Sequence, residues 1–245
     1  MKTLGIIPAR YAASRFPGKP LVKIGDKTML QRVCEQARQA SLLDAVLVAT
    51  DDERIFDHAL QIGAHVMMTN PAHATGTDRC AEIAKQIYDY ELVINIQGDE
   101  PFINPAQIDQ VISLLQAGAP IATLAKKIGD EKTLFNPNVV KVVLDKQQRA
   151  LYFSRLPVPY VRDEPEKAWL GAATHYKHIG LYGFRRNTLL EISALAQSNL
   201  ERAESLEQLR WLEHGHAIHV GLTEHESIGI DTPADLQKIV ATFLR

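Results

Sequence analysis

Cysteine is nearly absent: the 245-residue chain has two, Cys34 and Cys80. Neither has a second cysteine at metal-ligand distance, and no His-Cys zinc spacing occurs, so no structural zinc is expected. Both lie inside apolar helical patterns and read as reduced core thiols of a cytosolic protein more readily than as a disulfide. No run approaches the roughly 20 apolar residues of a membrane span. The N-terminus also lacks the apolar core of a signal peptide, so no membrane insertion is expected and the chain is placed in the cytoplasm. Neither sign of charge dominates: 27 Lys and Arg stand against 29 Asp and Glu, a formal charge of −2. A nucleic-acid partner is therefore not expected, and any phosphate site should be local and serve a small ligand. The patterns G-x-G-x-x-G and G-x-x-x-x-G-K-[ST] are missing too, which argues against a dinucleotide oxidoreductase and a P-loop phosphotransferase. There is no internal repeat, low-complexity tract or linker that demands two independent domains.

What is present is a hydrophobic fraction of 46%, enough for a sizeable core. Short β-rich runs alternate with amphipathic helices through the first half, as in a mostly parallel sheet covered on both faces. LGIIPA, AVLVAT, His65–Met68 and LVINIQ read as strands. Helical faces recur at Met29, Leu30, Val33, Cys34 and Ala37, at Cys80, Ala84, Ile87 and Tyr88, and at Ile108, Val111, Ile112 and Leu115. Past Ile121 the rhythm changes. NVVKVVLD, ALYFSR and HIGLYGF are β-rich runs without long helices between them, which suits antiparallel pairing. Pro157 to Lys177 reads as a loop or flap near a binding site. Strands around Ala217–Leu222 and Ser227–Ile230 and a helix from Pro233, with Leu236, Ile239, Val240 and Phe243 inward, close the chain.

The loop behind the first strand, IIPARYAASRFPGKPL, carries Arg10, Arg15 and Lys19 among Ser14, Pro17, Gly18 and Pro20. Planar guanidinium forks and an ammonium point charge on a loop shaped by Pro and Gly suit a polyphosphate. The plain alternative is a solvated basic surface. The position at the C-terminal end of a strand, where α/β proteins place ligands, favours the anion cradle.

Two carboxylates occupy comparable places. Asp99 follows LVINIQ, and Asp231 ends a β-rich run before Thr232 and Pro233, a helix start. Two hard oxygen ligands plus phosphate oxygens are what Mg²⁺ prefers. An Asx-turn at Asp99 and a helix-start role for Asp231 remain open on position alone. The chemistry that joins a cationic strand-to-helix loop to such carboxylates is nucleotidyl transfer.

PARYAASRFPGKPL, ATDDERI, TGTDR, INIQGDEPFI, PNVVKVV, ALYFSR, HIGLYGF, LEQLRWLEHG and IDTPADL, in this order and almost end to end, resemble the 3-deoxy-manno-octulosonate (Kdo) cytidylyltransferase family. The resemblance implies a Rossmann-like nucleotide-diphospho-sugar transferase fold. Within one domain, 1–120 would be mainly nucleotide-binding, 121–225 an antiparallel sugar-binding and dimerisation extension, and 226–245 the metal ligand and closing helix. It further implies a homodimer that uses CTP, Kdo and Mg²⁺ in lipopolysaccharide synthesis. Arg10, Arg15 and Lys19 match the triphosphate loop, with Pro8 and Ala9 presenting backbone to the cytosine. Thr75, Gly76, Asp78 and Arg79 match a second nucleotide segment. Arg79 as a mere first-turn helix cation is disfavoured by the macrodipole. Gln97 joins nucleotide to sugar, and Asp99 and Asp231 match the metal ligands. The sugar positions are Gln97, Arg155, Arg162, His178, Tyr182, Glu207 and Gln208, a set chemically suited to a carboxylate and hydroxyls. Ala13 departs from the pattern, standing where the family usually has a hydroxyl residue. Alternatives are a cytidylyltransferase for 8-amino-Kdo or sialic acid, a non-catalytic nucleotide-sugar binding module, and a structural oligomer with a degenerate site.

Overall fold

The computed structural model describes residues 1–12, 16–226 and 228–237. β1 (Thr3–Ala9) is apolar almost without a break, as a strand covered on both faces requires. A short hairpin of β2 (Lys23–Ile24) and β3 (Lys27–Thr28) leads into α1 (Met29–Ala37), whose N-terminus is capped by the Thr28 hydroxyl. Then come β4 (Ala45–Thr50), α2 (Glu53–Gln61) capped by Asp52, β5 (His65–Met68), α3 (Gly76–Gln86) and β6 (Leu92–Asn95). β4 and β6 each pair with β1 in parallel, one on either edge, and β5 lies beyond β4. The winding thus reverses at β1, and the strand ends there diverge into a crevice.

The second half contributes α4 (Pro105–Gln116), β7 (Ile121–Lys127), α5 (Glu131–Phe135), β8 (Lys141–Leu144), β9 (Ala150–Ser154), α6 (Trp169–Ala172) and β10 (Tyr176–Arg185). α7 (Arg186–Ser193), α8 (Asn199–Glu204), α9 (Gln208–Glu213) and β11 (Ile218–Leu222) follow. The sheet order is β11-β7-β10-β6-β1-β4-β5, with β8 on β10 and β9 on β8. β10 runs antiparallel to β6, β7 and β8, while β11 is parallel to β7.

Alternate residues of β1 feed two cores. Leu4 and Ile6 join Cys80 and Ile83 of α3, Leu189 of α7 and Trp211 of α9. Ile7 and Ala9 join Leu30 and Val33 of α1, Ile55 of α2 and Val111 of α4. Both cysteines are free and buried, and burial pushes the Cys34 thiol up to about 12 and the Cys80 thiol further up.

Four local expectations change. Residues 228–230 form no strand; they run as an irregular segment, and Ser227 lies outside the described residues. Ile121–Lys127, which the pattern had not singled out, is a full strand between β10 and β11. The stretch 157–177 is not wholly loop: Trp169 of α6 packs with Ile128 and Leu134 in a small separate cluster. Tyr88 falls beyond the end of α3 and is exposed, with the Arg186 guanidinium 5.0 Å from its ring centroid. Residues 233–237 are helical with Leu236 packed inward, and Ile239, Val240 and Phe243 lie outside the described residues.

α4 packs on β10 at Gly183, where a Cβ would stand 2.5 Å from Val111 and 2.8 Å from Leu115. Gly183→Ala is expected to destabilise the protein by about 1–3 kcal/mol through overpacking. A lowered urea midpoint at unchanged m-value would report it.

Candidate active site

The crevice at the β1–β6 switch holds a cavity of about 380 Å³ lined by Pro8, Ala9, Arg10, Lys19, Gly76, Gln97, Gly98, Asp99 and Asp231, among others. Its loop is built by local contacts. The Tyr11 carbonyl accepts from the Gly18 N–H at 2.9 Å, and Gly18 sits at φ +71 against the Tyr11 ring, which reserves the position for glycine. Arg54 of α2 stacks over that ring at 3.3 Å. Arg10 donates to the Ala74 carbonyl at 2.5 Å, tying the loop to the entry of α3. Lys19 opens a 3₁₀ turn, Lys19–Leu21, and points into the cavity.

The Lys19 ammonium lies 2.7 Å from Asp99 and 3.4 Å from Asp231, so two carboxylates 132 positions apart in sequence converge on one cation. Their approach has two causes. The Ile230 N–H donates to the Asp99 carbonyl at 2.9 Å. Beneath them Ile24, Met29 and Ile230 bury a small apolar cluster with Phe16, Phe102 and Leu236. Gly98 lets the end of β6 close on β1, since a Cβ there would stand 2.7 Å from the Pro8 carbonyl. A pair of hard oxygen donors already gathered round a positive charge fits a Mg²⁺ site whose remaining ligands come from substrate phosphate and water.

A second group lies beside the crevice. Thr75 and Asp78 form a reciprocal capping box, which presents Gly76 to the cavity. Glu207 accepts from the Thr77 hydroxyl at 2.9 Å, and burial pushes its carboxyl pKa up. Tyr182 is buried, its hydroxyl has no hydrogen-bond partner among the described residues, and burial with the nearby Glu207 charge raises its pKa. Gln97 donates to the Gly180 carbonyl at 3.1 Å. The His178 ring lies 5.2 Å from that of Tyr182, and burial pushes its pKa down to about 3. Gln208 is buried at the start of α9.

Pro8, Ala9, Arg10, Lys19, Gly76, Gln97, Asp99 and Asp231 are thus brought together. Arg79 is not brought to the cavity. Its guanidinium is fully buried, 2.6 Å from both Asp51 and the Thr69 hydroxyl, and the ion pair offsets the unfavourable macrodipole of α3. Arg155 directs its guanidinium to the carbonyls of Glu204, Pro137 and Ser205. Arg162 is exposed. Arg15 and Ala13 lie outside the described residues. Gly98 and the apolar cluster under the carboxylates were not found from sequence. The glycine ending the IQG run was a readable signal for the first, and long-range apolar contacts left none for the second.

A cationic loop and paired carboxylates at the switch point of a doubly covered sheet define the class, an α/β nucleotidyltransferase. The cytidylyltransferase family matches residues 4–220. The 3-deoxy-manno-octulosonate cytidylyltransferase of Parabacteroides distasonis is 53% identical over 247 residues, covering 98% of each chain. That of Cytophaga hutchinsonii is 50% identical over 241 residues, covering 98% of this chain and 96% of the relative. A solved structure of CMP:2-keto-3-deoxy-manno-octonic acid synthetase complexed with CTP superposes with a TM-score of 0.92 at 39% identity, covering 100% of this chain and 99% of that one. The chain belongs to the cytidylyltransferase family, in its 3-deoxy-manno-octulosonate branch.

Arg79→Met would leave Asp51 without its buried partner, and an expected loss of about 3 kcal/mol should appear in urea unfolding. A change within about 0.5 kcal/mol, the size usual for surface substitutions, would contradict the buried structural role.

Proposed function

We propose that this chain transfers the cytidylyl group of CTP to the anomeric hydroxyl of 3-deoxy-D-manno-octulosonate, giving CMP-Kdo and pyrophosphate. The product is the activated sugar for lipopolysaccharide synthesis. The observation that carries this reading is the meeting of Lys19, Asp99 and Asp231 at the crevice beside Gln97, in a chain about half identical to relatives of that name.

The hydroxyl oxygen of the sugar forms a bond to the α-phosphorus and stays there, the bond from the α-phosphorus to the α–β bridging oxygen breaks, pyrophosphate leaves with the bridging oxygen, and the hydroxyl proton passes to solvent. Pro8 and Ala9 offer backbone to the cytosine. Arg10, Arg15 and Lys19 bind the triphosphate, and Arg15 and Lys19 neutralise the charge that builds on the leaving group. Thr75 and Asp78 hold Gly76 against the nucleotide. Asp99 and Asp231 would hold Mg²⁺, which supplies Lewis-acid polarisation of the α-phosphoryl group when bound. In this scheme Gln97 spans nucleotide and sugar, and His178, Tyr182, Glu207 and Gln208 serve the sugar hydroxyls. Arg155 and Arg162 are assigned to the sugar's acid group by the family resemblance alone, since the Arg155 guanidinium is turned to backbone carbonyls here. Catalysis in this scheme is positioning and charge neutralisation, with no dedicated side-chain base.

The protein acts as a homodimer, a reading supported by the exposed Leu151, Leu156 and Tyr160 on and just after β9. The cytoplasm is the compartment that supplies CTP, and two free, reduced thiols accord with it. Among the described residues no helix is long and apolar enough to cross a membrane.

Pyrophosphate release measured with CTP and a panel of Kdo, 8-amino-Kdo and sialic acid should be fastest with Kdo. Faster release with another acid would displace the sugar assignment, and none with any acid would sink the enzymatic reading. Asp99→Asn is expected to lower kcat about 100-fold at saturating Mg²⁺ and CTP. Near-normal turnover would dismiss the metal assignment.

A further inference from the structure

Thr123, in the middle of β7, has no exposed surface. Opposite it β10 bulges: Ile179 pairs with Leu124 and Tyr182 with Thr123, so Gly180 and Leu181 have no counterpart. The Thr123 hydroxyl oxygen reaches into this gap. It lies 3.0 Å from the Ile179 carbonyl, 2.8 Å from the Leu181 carbonyl and 3.0 Å from Nε2 of His178.

A hydroxyl has one proton to give, and carbonyl oxygens only accept. If that proton went to His178, both carbonyl oxygens would face hydroxyl lone pairs at hydrogen-bonding distance with no hydrogen between them. Given to a carbonyl, it leaves a lone pair for the imidazole, and Nε2 must then carry the hydrogen. Nδ1 is left as a bare acceptor, and no group among the described residues donates to it. Burial holds the ring neutral at physiological pH, so the acceptor persists there. The same bulge turns the Gly180 carbonyl toward Gln97, whose side-chain NH₂ donates to it at 3.1 Å.

We propose that Thr123 is a positioning residue that locks His178 in the Nε2–H tautomer, making Nδ1 an acceptor for a hydroxyl of the acidic sugar. The sugar part of this rests on the assignment of His178 above; the tautomer does not. An acceptor at this place admits a hydroxyl and repels a carboxylate, so it fixes which end of the sugar acid lies against β10.

The test begins on the unliganded protein. In long-range ¹H–¹⁵N spectra near neutral pH, the His178 signals, assigned by their loss in His178→Gln, should show a protonated Nε2 and a bare Nδ1. Protonation on Nδ1 overturns the proposal whatever the substrate is. In Thr123→Val the two tautomers should mix, and the KM for Kdo should rise about fivefold, the size of one lost hydrogen bond, at unchanged KM for CTP. Thr123→Ser should restore both. A folded Thr123→Val with an unmixed tautomer overturns the role of Thr123. A mixed tautomer with unchanged KM for Kdo overturns the sugar contact alone.

Discussion

β1 is hydrogen-bonded in parallel on both edges, to β4 on one side and β6 on the other, and the site depends on that arrangement. Two helical layers must cover a strand so placed, because apolar side chains on both of its faces feed the two cores. The connections leaving β1 and β6 then emerge side by side at the carboxyl ends of the strands. Gly98 completes the geometry by letting the backbone after β6 approach the Pro8 carbonyl closer than any Cβ allows. Loop chemistry follows from strand pairing here.

Electrostatics adds the next layer. Lys19 stands between Asp99 and Asp231, and the ammonium balances two carboxylates that would otherwise repel at close range. In the proposed reaction this balance would be what a metal-polyphosphate complex meets. There a substrate phosphate would offer the lysine a new partner, and a divalent cation would offer the carboxylates a stronger one. The apolar cluster of Ile24, Met29 and Ile230 helps keep Asp231 within reach, so a patch of core joining the first thirty residues to Ile230 contributes to the charge pattern of the crevice.

The β10 bulge links this crevice to the sugar side. Gly180 engages Gln97 on one side, and Thr123 stitches the displaced carbonyls and His178 on the other. One local irregularity in an antiparallel strand therefore fixes the hydrogen bonding of both Gln97 and His178. Strand irregularities of this kind commonly re-aim side chains next to active sites.

Local signals settled much of this protein from sequence alone. Short apolar, β-rich runs located the first-half strands and helical spacing located α1, α3 and α4, because the pattern of apolar residues reflects which faces each element buries. The Pro-Gly loop with Arg10 and Lys19, and the carboxylates after strand-like runs, were legible for the same reason: turn chemistry and charge are written locally. Tertiary structure decided the rest. Arg79 reads like a phosphate ligand in TGTDR, yet it turns inward to Asp51, a partner 28 positions away that no local pattern reveals. Arg155 is drawn to carbonyls of Pro137, Glu204 and Ser205. Ser227–Ile230 reads as a strand from its composition, but 228–230 joins no strand among the described residues, and the Ile230 N–H instead holds the Asp99 carbonyl beside Asp231. Thr123 gives no sign of its role in sequence, since a bulge exists only between two strands. Periodicity and loop chemistry act over a few residues, whereas ion pairs, bulges and convergent carboxylates depend on which distant segments the fold brings within 3 or 4 Å, roughly hydrogen-bonding and ion-pairing range.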